Sequence, residues 1–325
     1  MDHRSGQKRT VDYLYPPVDP FDRRMMDRGD GHHIYVEQCG RTDGIPVIVV
    51  HGGPGGGCSP SMRRYFDPAV YRIILFDQRG CGRSRPQASV EANTTWHLVE
   101  DMEAIRLELG LERVILFGGS WGATLSLIYA ITYPANVMHL VLRGVFTMTR
   151  AELDWFYGGG AGGFFPEFWA RFVELVPPGE RDNLIAAYHR RLFSGDMAQE
   201  MLFARRWTNW ENALATIQTG GMAGDGPSEY ARIFARLESH YFINHGFLES
   251  DGWILANRNR IRAIGADIVQ GRYDMVCPPR AAHKLADGWT AARLHLIPIA
   301  GHALSEPGIS AALVRIMDGL RKDAG

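Results

Sequence analysis

Gly118-Gly119-Ser120-Trp121-Gly122 sets a serine among glycines, directly after the apolar run Val114–Phe117 and directly before a helical stretch, Trp121 to Tyr133. A serine at such a strand–turn–helix junction is pushed above the sheet edge, and the N–H that follows it is free to meet developing negative charge. The pattern predicts Ser120 as a nucleophile and the backbone N–H of Trp121 as an oxyanion donor. A glycine-rich turn with a capping serine is the plainer alternative; the flanking strand and helix favour the nucleophile. His51-Gly52-Gly53-Pro54-Gly55-Gly56-Gly57 follows a second apolar run, Val47–Val50. Glycines let backbone N–H groups face a ligand with no side chain in the way, so Gly53 is the second candidate donor. A nucleotide-phosphate loop fails on detail, because no G-K-[ST] follows and Pro54 has no N–H. Gly29 and Gly31 do not begin a dinucleotide-binding fingerprint.

A hydroxyl needs a base, and the base needs an orienting acid. Asp274 stands just after the strand-like run Asp267–Gln270, and His302 just after Leu294–Ile297. Serine, then acid, then histidine, each at a strand end, is the chain order of one hydrolase architecture. A turn aspartate and a capping or surface histidine are the alternatives, in a chain with 12 histidines. Asp77, in Asp77-Gln78-Arg79-Gly80-Cys81-Gly82-Arg83-Ser84, also ends a strand. It precedes the serine, so it is expected to fix its loop instead. His51 is expected to be structural within the oxyanion loop.

Strands and helices must hold these residues at one edge of a sheet. Val47–Val50, Ile73–Phe76 and Val114–Phe117 are near-continuous apolar runs, as in strands buried on both faces. Ile34–Val36, Leu140–Val145, Asp267–Gln270 and Leu294–Ile297 complete the predicted strands. Trp96–Leu109 has helical spacing and a C-capping Gly110; Pro134 stops the helix that begins at Trp121. From about 150 to 255 the strand-like runs give way to aromatic-rich helical segments: Glu152–Tyr157, Pro166–Val176, Arg181–Phe193, Ala198–Thr216 and Ser228–Phe242. Glycine-rich breaks at Gly158–Gly163 and Gly220–Gly226 interrupt them. Two further helices are expected at Arg280–Asp287 and Gly308–Arg321. Alternating strands and helices with a helical interruption predict an α/β fold, a mostly parallel sheet flanked by helices and carrying an inserted cap. The expected organisation is an N-terminal arm over 1–30, a catalytic domain over 31–149 and 256–325, and a helical cap domain over 150–255. Tyr15-Pro16-Pro17 and Asp19-Pro20 argue against regular structure in the arm.

The 325 residues are 46 % hydrophobic and 22 % charged, with a formal net charge of −1, which excludes a mainly disordered chain and a globally basic nucleic-acid binder. Cys39, Cys58, Cys81 and Cys277 form no C-x-x-C pair, so four free thiols are expected, which suits a reducing cytoplasm. Met1 to Thr10 is polar and basic, with no apolar stretch behind it, and no secretory signal is visible. The longest apolar run, Ile45 to Val50, is too short to cross a bilayer. A cytoplasmic protein is the expectation, with no nucleic-acid or membrane partner. The sequence leaves the oligomeric state open.

HGGPGGG at 51–57, DQRGCGRS at 77–84, GGSWG at 118–122 and GRYDMVCP at 271–278 together resemble the proline iminopeptidases (prolyl aminopeptidases) of the α/β-hydrolase fold. The likeness runs from about Tyr15 to the C-terminus. It implies a serine aminopeptidase that releases N-terminal proline through an acyl-enzyme. Ser120 would be the nucleophile, His302 the general base and acid, and Asp274 the orienting carboxylate. Trp207-Thr208-Asn209-Trp210-Glu211 and Ala235-Arg236-Leu237-Glu238-Ser239-His240-Tyr241-Phe242 resemble the family's cap stretches. There the resemblance implies that Glu211 and Glu238 bind the free amino terminus of a small peptide or amide. A desolvated carboxylate pair suits an ammonium physically. By the same resemblance Phe146 and Cys277 fall where the family builds its apolar proline pocket; simple core packing is the other reading. No metal or organic cofactor is implied. Three stretches depart from the family pattern: Gly158–Gly163, Asn212-Ala213-Leu214 after Glu211, and Ala303-Leu304-Ser305-Glu306 after His302. They touch the cap and the margin of the site, so the rival reading keeps the triad and changes the substrate. It is an amidase or esterase acting on another small amide or ester, such as a specialised metabolite.

Overall fold

The computed structural model describes residues 13–217 and 228–323. The basic stretch Met1 to Thr10 and the expected break at Gly220–Gly226 lie outside the described residues. Within them one eight-stranded sheet forms, from β1 (Pro20–Asp27), β2 (His33–Gly40), β3 (Ile45–Val50), β4 (Tyr71–Phe76), β5 (Val114–Gly119), β6 (Val137–Arg143), β7 (Gly265–Gly271) and β8 (Ala292–Ile297). The spatial order is β1-β2-β4-β3-β5-β6-β7-β8. β1 and β2 pair antiparallel, as do β2 and β4, and every other pairing is parallel.

The continuous apolar runs have a direct explanation, because alternate residues of one strand feed two separate cores. Ile48, Val50, Ile74, Phe76, Leu116 and Leu140 pack on the face covered by helices α1 (Thr95–Glu108) and α2 (Trp121–Thr132). Val47, Val49, Ile73, Leu75, Ile115 and Phe117 pack on the face covered by α10 (Pro307–Asp323). Both faces are dry, so no polar alternation is left to read. Local signals set the helix ends. Thr94 caps α1 with His97 reaching back as its partner, and Gly110, at φ 65°, follows the helix. Pro134 follows Tyr133, the C-cap of α2.

One expectation is corrected. The arm over 1–30 is not irregular throughout, since Pro20–Asp27 forms β1 at the sheet edge. Pro20 opens this edge strand beside a register shift between Pro20 and Asp22, positions where a proline's missing N–H breaks no ladder. Of the inward positions Asp22 and Arg24 are polar, and only Met26 is buried in the core. Asp22 accepts from Gln38 Nε2 at 2.7 Å and from Arg24 Nε at 2.9 Å, so hydrophobicity alone could not reveal the strand.

Between β6 and β7 the chain builds α3 (Arg150–Tyr157), α4 (Pro166–Val173), α5 (Leu184–Leu192), α6 (Met197–Ala215), α7 (Ser228–Ile243) and α8 (Trp253–Asn257). Aromatic stacking holds them together: Phe172 lies on Tyr188 and Tyr157 on Trp207, each with centroids 4.4 Å apart. These helices reach the strand ends that carry the chemical motifs. The Tyr241 ring on α7 meets Trp121 edge-on at 4.9 Å, and its hydroxyl donates to Asn93 Oδ1 at 2.7 Å. At the end of α6 the Ala215 carbonyl accepts from the N–H groups of His302 (3.0 Å) and Ala303 (2.8 Å). The last helices are α9 (Pro279–Ala286) and α10. Among the described residues no helix is long and apolar enough to cross a membrane. All four cysteines are free thiols.

Candidate active site

Ser120 sits between β5 and α2 with φ 58° and ψ −126°, a conformation that costs a non-glycine residue about 1–3 kcal/mol. Its neighbours enforce the turn. A Cβ on Gly122 would lie 2.0 Å from the Val50 carbonyl oxygen, and one on Gly118 would lie 2.2 Å from that of Gly122. The Ser120 N–H donates to the Arg143 carbonyl at 2.9 Å, tying the elbow to the end of β6. A Cβ on Gly52 would come within 3.3 Å of the Ser120 Cβ, so the glycine loop after β3 lies against the serine. Among the described residues, the backbone N–H groups of Gly53 and Trp121 make no hydrogen bond.

Asp274 and His302 are brought together at the ends of β7 and β8. His302 Nδ1 lies 2.8 Å from Asp274 Oδ2. The same oxygen accepts from Gln270 Nε2 at 3.0 Å, while Oδ1 accepts from the N–H groups of Val276 (3.0 Å) and Cys277 (2.7 Å). Four donors therefore hold one buried carboxylate in a single orientation. Gln270 also accepts from the Val145 N–H at 3.0 Å, which locks the acid loop to the end of β6.

The Ser120 hydroxyl makes no hydrogen bond among the described residues. His302 Nε2 instead faces Arg143 Nη1 at 3.1 Å, and the same Nη1 donates to the His302 carbonyl at 2.7 Å. A guanidinium only donates. Nε2 is therefore the bare nitrogen and Nδ1 carries the proton toward Asp274, which is the tautomer a general base requires. Serine–histidine hydrogen bonds are often loose before substrate arrives and tighten in the complex. Burial lowers the pKa of Arg143, with the nearby Asp274 charge opposing.

A small cavity, with room for about 20 Å³, opens in front of the serine. Gly53, Ser120, Phe146, Glu211, Glu238 and Cys277, all singled out in the sequence, line it together. Phe156, Phe242, Val276 and Glu152 complete the wall and were missed. Glu152 is the N3 residue of the α3 capping box; its carboxylate accepts from the N–H and hydroxyl groups of Thr147 and Thr149. A Thr-x-x-Glu pattern marks such a cap in sequence, but not its nearness to a pocket. Phe146 meets Phe242 edge-on at 6.0 Å, an apolar slot in the same lining as Ser120. Burial, and then the Asp274 charge, push the Cys277 thiol well above its ordinary range, so it faces the cavity as a neutral, small apolar group.

Glu211 on α6 and Glu238 on α7 meet in the same lining. Tyr157 donates its phenol proton to Glu211 Oε1, and Trp207 Nε1 donates to Glu238 Oε2 at 2.6 Å. Burial, then repulsion from Glu211, holds Glu238 well above the usual carboxyl range. Burial also raises Glu211, against the pull of its hydrogen bonds from Glu238, Tyr157 and Trp207. Negative charge on this buried pair is therefore costly without a cationic partner.

This has a stability consequence. A carboxyl whose pKa is raised on folding binds more protons in the folded chain than in the unfolded one, so stability falls as pH rises above the unfolded value near 4.5. Glu238→Gln removes that slope. Its Tm at pH 8 without ligand should exceed that of the unsubstituted protein by at least about 2 °C, with the gap closing toward pH 4. Thermal melts across that range check it, and a lower Tm at pH 8 would contradict it.

Asp77 and His51 serve their own loops. Asp77 accepts from the N–H groups of Cys58 (2.7 Å) and Arg83 (2.8 Å), and from Arg83 Nε at 2.7 Å. His51 Nε2 accepts from the Gln78 N–H at 3.0 Å, and burial lowers its pKa.

Known proteins agree with this architecture. A family profile described as the alpha/beta hydrolase fold matches residues 45–308. The chain is 48 % identical over 307 residues to the proline iminopeptidase of Xylella fastidiosa (strain Temecula1 / ATCC 700964), covering 94 % of this chain and 98 % of that protein. It is 47 % identical over 310 residues to the proline iminopeptidase of Arabidopsis thaliana, covering 94 % and 81 %. Among solved structures, the Mycobacterium smegmatis proline iminopeptidase superposes with a TM-score of 0.59 at 18 % identity, covering 94 % of this chain and all of that one, a likeness of fold alone. The chain is therefore an enzyme of the hydrolase class and belongs to the proline iminopeptidase family of the α/β hydrolases.

Proposed function

We propose that the enzyme is a serine aminopeptidase that releases N-terminal proline from small peptides and amides. The observation that carries this reading is the single cavity lined by Ser120, Gly53, Phe146, Glu211 and Glu238. The paired carboxylates take the substrate's ammonium, and the Phe146–Phe242 slot takes the pyrrolidine ring. That fixes the first carbonyl in front of Ser120. Oγ attacks the carbonyl carbon while His302 Nε2 accepts the hydroxyl proton. The N–H groups of Gly53 and Trp121 bind the tetrahedral oxyanion. Collapse breaks the C–N bond, and the imidazolium gives its proton to the leaving amine. Water then attacks the prolyl ester by the same route and frees proline. Asp274 fixes the imidazole and stabilises its charged form. The helices over 150–255 act as the cap that carries the amine-binding pair.

A panel of prolyl, alanyl and N-acetyl-prolyl arylamides with simple esters tests this reading. Prolyl arylamide should have the highest kcat/KM. Preference for N-blocked arylamides or plain esters would replace the aminopeptidase with an amidase or esterase. Glu211→Gln and Glu238→Gln should each raise KM for prolyl arylamide about 10- to 100-fold, the worth of a charge-assisted hydrogen bond. Amine-free esters should be turned over nearly as before; equal damage to both substrate classes would make the glutamates structural.

A further inference from the structure

The two oxyanion donors come from different parts of the chain. Gly53 lies on the loop after β3, and Trp121 opens α2. Their separation must be held to a fraction of an ångström for both to reach one oxygen. Backbone connectivity does not do this, since 67 residues separate the two positions along the sequence.

One side chain spans the gap. Gln78 Nε2 donates to the His51 carbonyl at 2.9 Å, at the root of the glycine loop. Gln78 Oε1 accepts from the Trp121 indole Nε1 at 3.0 Å. The Gln78 backbone N–H donates to His51 Nε2 at 3.0 Å, so the same residue also orients the His51 ring. The other ring nitrogen, Nδ1, lies 2.9 Å from the Gly52 carbonyl oxygen and 3.2 Å from the Gly57 N, both on the glycine loop. Gln78 and His51 are 2 % exposed and Trp121 is fully buried, so water does not compete for these bonds. Beyond Trp121 the chain of contacts runs to Tyr241 on α7.

We propose that Gln78 is a positioning residue whose amide fixes the Gly53 and Trp121 N–H groups relative to each other, so that both point at the same developing oxyanion. The inference rests on the serine-hydrolase reading above. A glutamine fits the task because it offers a donor and an acceptor on one planar group. Glutamate would lose the donor to the His51 carbonyl, and methionine fills the space with neither bond.

The test compares the unsubstituted enzyme with Gln78→Met, Trp121→Phe and the double variant. Kinetics use prolyl arylamide. Inhibition uses pyrrolidine-2-boronic acid, whose boron accepts the Ser120 oxygen and carries a hydroxyl at the oxyanion position, and free proline, which forms no such adduct. For Gln78→Met, kcat should fall about 10- to 100-fold, as for a donor displaced or lost, with KM within about threefold. Affinity for the boronic acid should fall by a factor similar to kcat, while proline affinity stays unchanged. Trp121→Phe removes the indole N–H together with part of the ring, so a thermal melt is read beside it; it should show the same split at smaller size and carry the test if Gln78→Met does not fold. In the double variant the loss in kcat should be smaller than the product of the two single losses, because both substitutions cut one bridge. Parallel loss of boronic acid and proline affinity, or an unchanged boronic acid affinity in folded variants, would overturn the proposal. Failure of the serine reading itself looks different: the unsubstituted enzyme would then bind the boronic acid no more tightly than proline.

Discussion

Ser120→Ala should lower kcat for prolyl arylamide by about 10⁴- to 10⁶-fold while leaving the protein as stable as before. The loss is large because the substitution removes the atom that forms the acyl bond, leaving only the oxyanion donors and substrate positioning. The stability should hold for a reason visible in the site. Among the described residues the Ser120 hydroxyl makes no hydrogen bond, so alanine leaves no buried partner unsatisfied. Alanine also bears the positive φ of 58° no worse than serine does. Proline should bind as before, since the carboxylate pair is untouched. Steady-state kinetics, a thermal melt and proline inhibition check the three parts. Retained turnover in a clean preparation would remove Ser120 from the mechanism.

Asp274→Asn should lower kcat by about 10⁴-fold, and here stability should fall as well. The native carboxylate accepts from four donors, two on each oxygen. An asparagine offers one oxygen and one NH₂. If the NH₂ faces His302, the imidazole must present Nδ1 as acceptor, and the proton moves to Nε2. That nitrogen can then neither accept from Ser120 nor face Arg143 Nη1 without two donors meeting. If the NH₂ turns toward Val276 and Cys277, two backbone N–H groups lose their acceptor. Either arrangement leaves buried donors unmatched at about 1–3 kcal/mol each. The contrast with Ser120→Ala is the informative part, because one variant loses rate alone and the other loses rate and Tm together. An Asp274→Asn variant with near-native kcat would show that the carboxylate does not orient the base.

The residues legible in sequence are those whose chemistry and local spacing coincide. Gly118 and Gly122 must be glycine because a Cβ on either would strike a backbone carbonyl oxygen, and that constraint is legible within five consecutive letters. Asp274 and His302 are legible because each follows a short strand-like run, Asp267–Gln270 and Leu294–Ile297, in the chain order serine, acid, histidine. Arg143, Gln270 and Gln78 are not. Each is a polar residue at or beside a strand end, and what matters is a partner 43 to 159 positions away, such as His302 for Arg143 and Trp121 for Gln78. No periodicity or motif of one chain segment carries that information. The β1 strand is illegible for a related reason, since half of its inward side is the polar pair Asp22 and Arg24, satisfied by hydrogen bonds among Gln38, Arg24 and Asp22, and only Met26 is buried in the core. Glu211 and Glu238 fall between these cases. Their aromatic flanks hint at burial, but their meeting across α6 and α7 depends on how those helices pack.

The central claim joins a nucleophilic Ser120 to a cap that recognises a free amine, and fluorophosphonate labelling with ligand protection tests both at once. The enzyme is treated with a fluorophosphonate alone, with excess prolinamide, or with excess N-acetyl-prolinamide, and the modified peptide is mapped by mass spectrometry. One label, on Ser120, is expected in step with loss of prolyl arylamide turnover, with protection by prolinamide but not by its acetylated form. Inactivation without Ser120 modification, or equal protection by both amides, would contradict that claim.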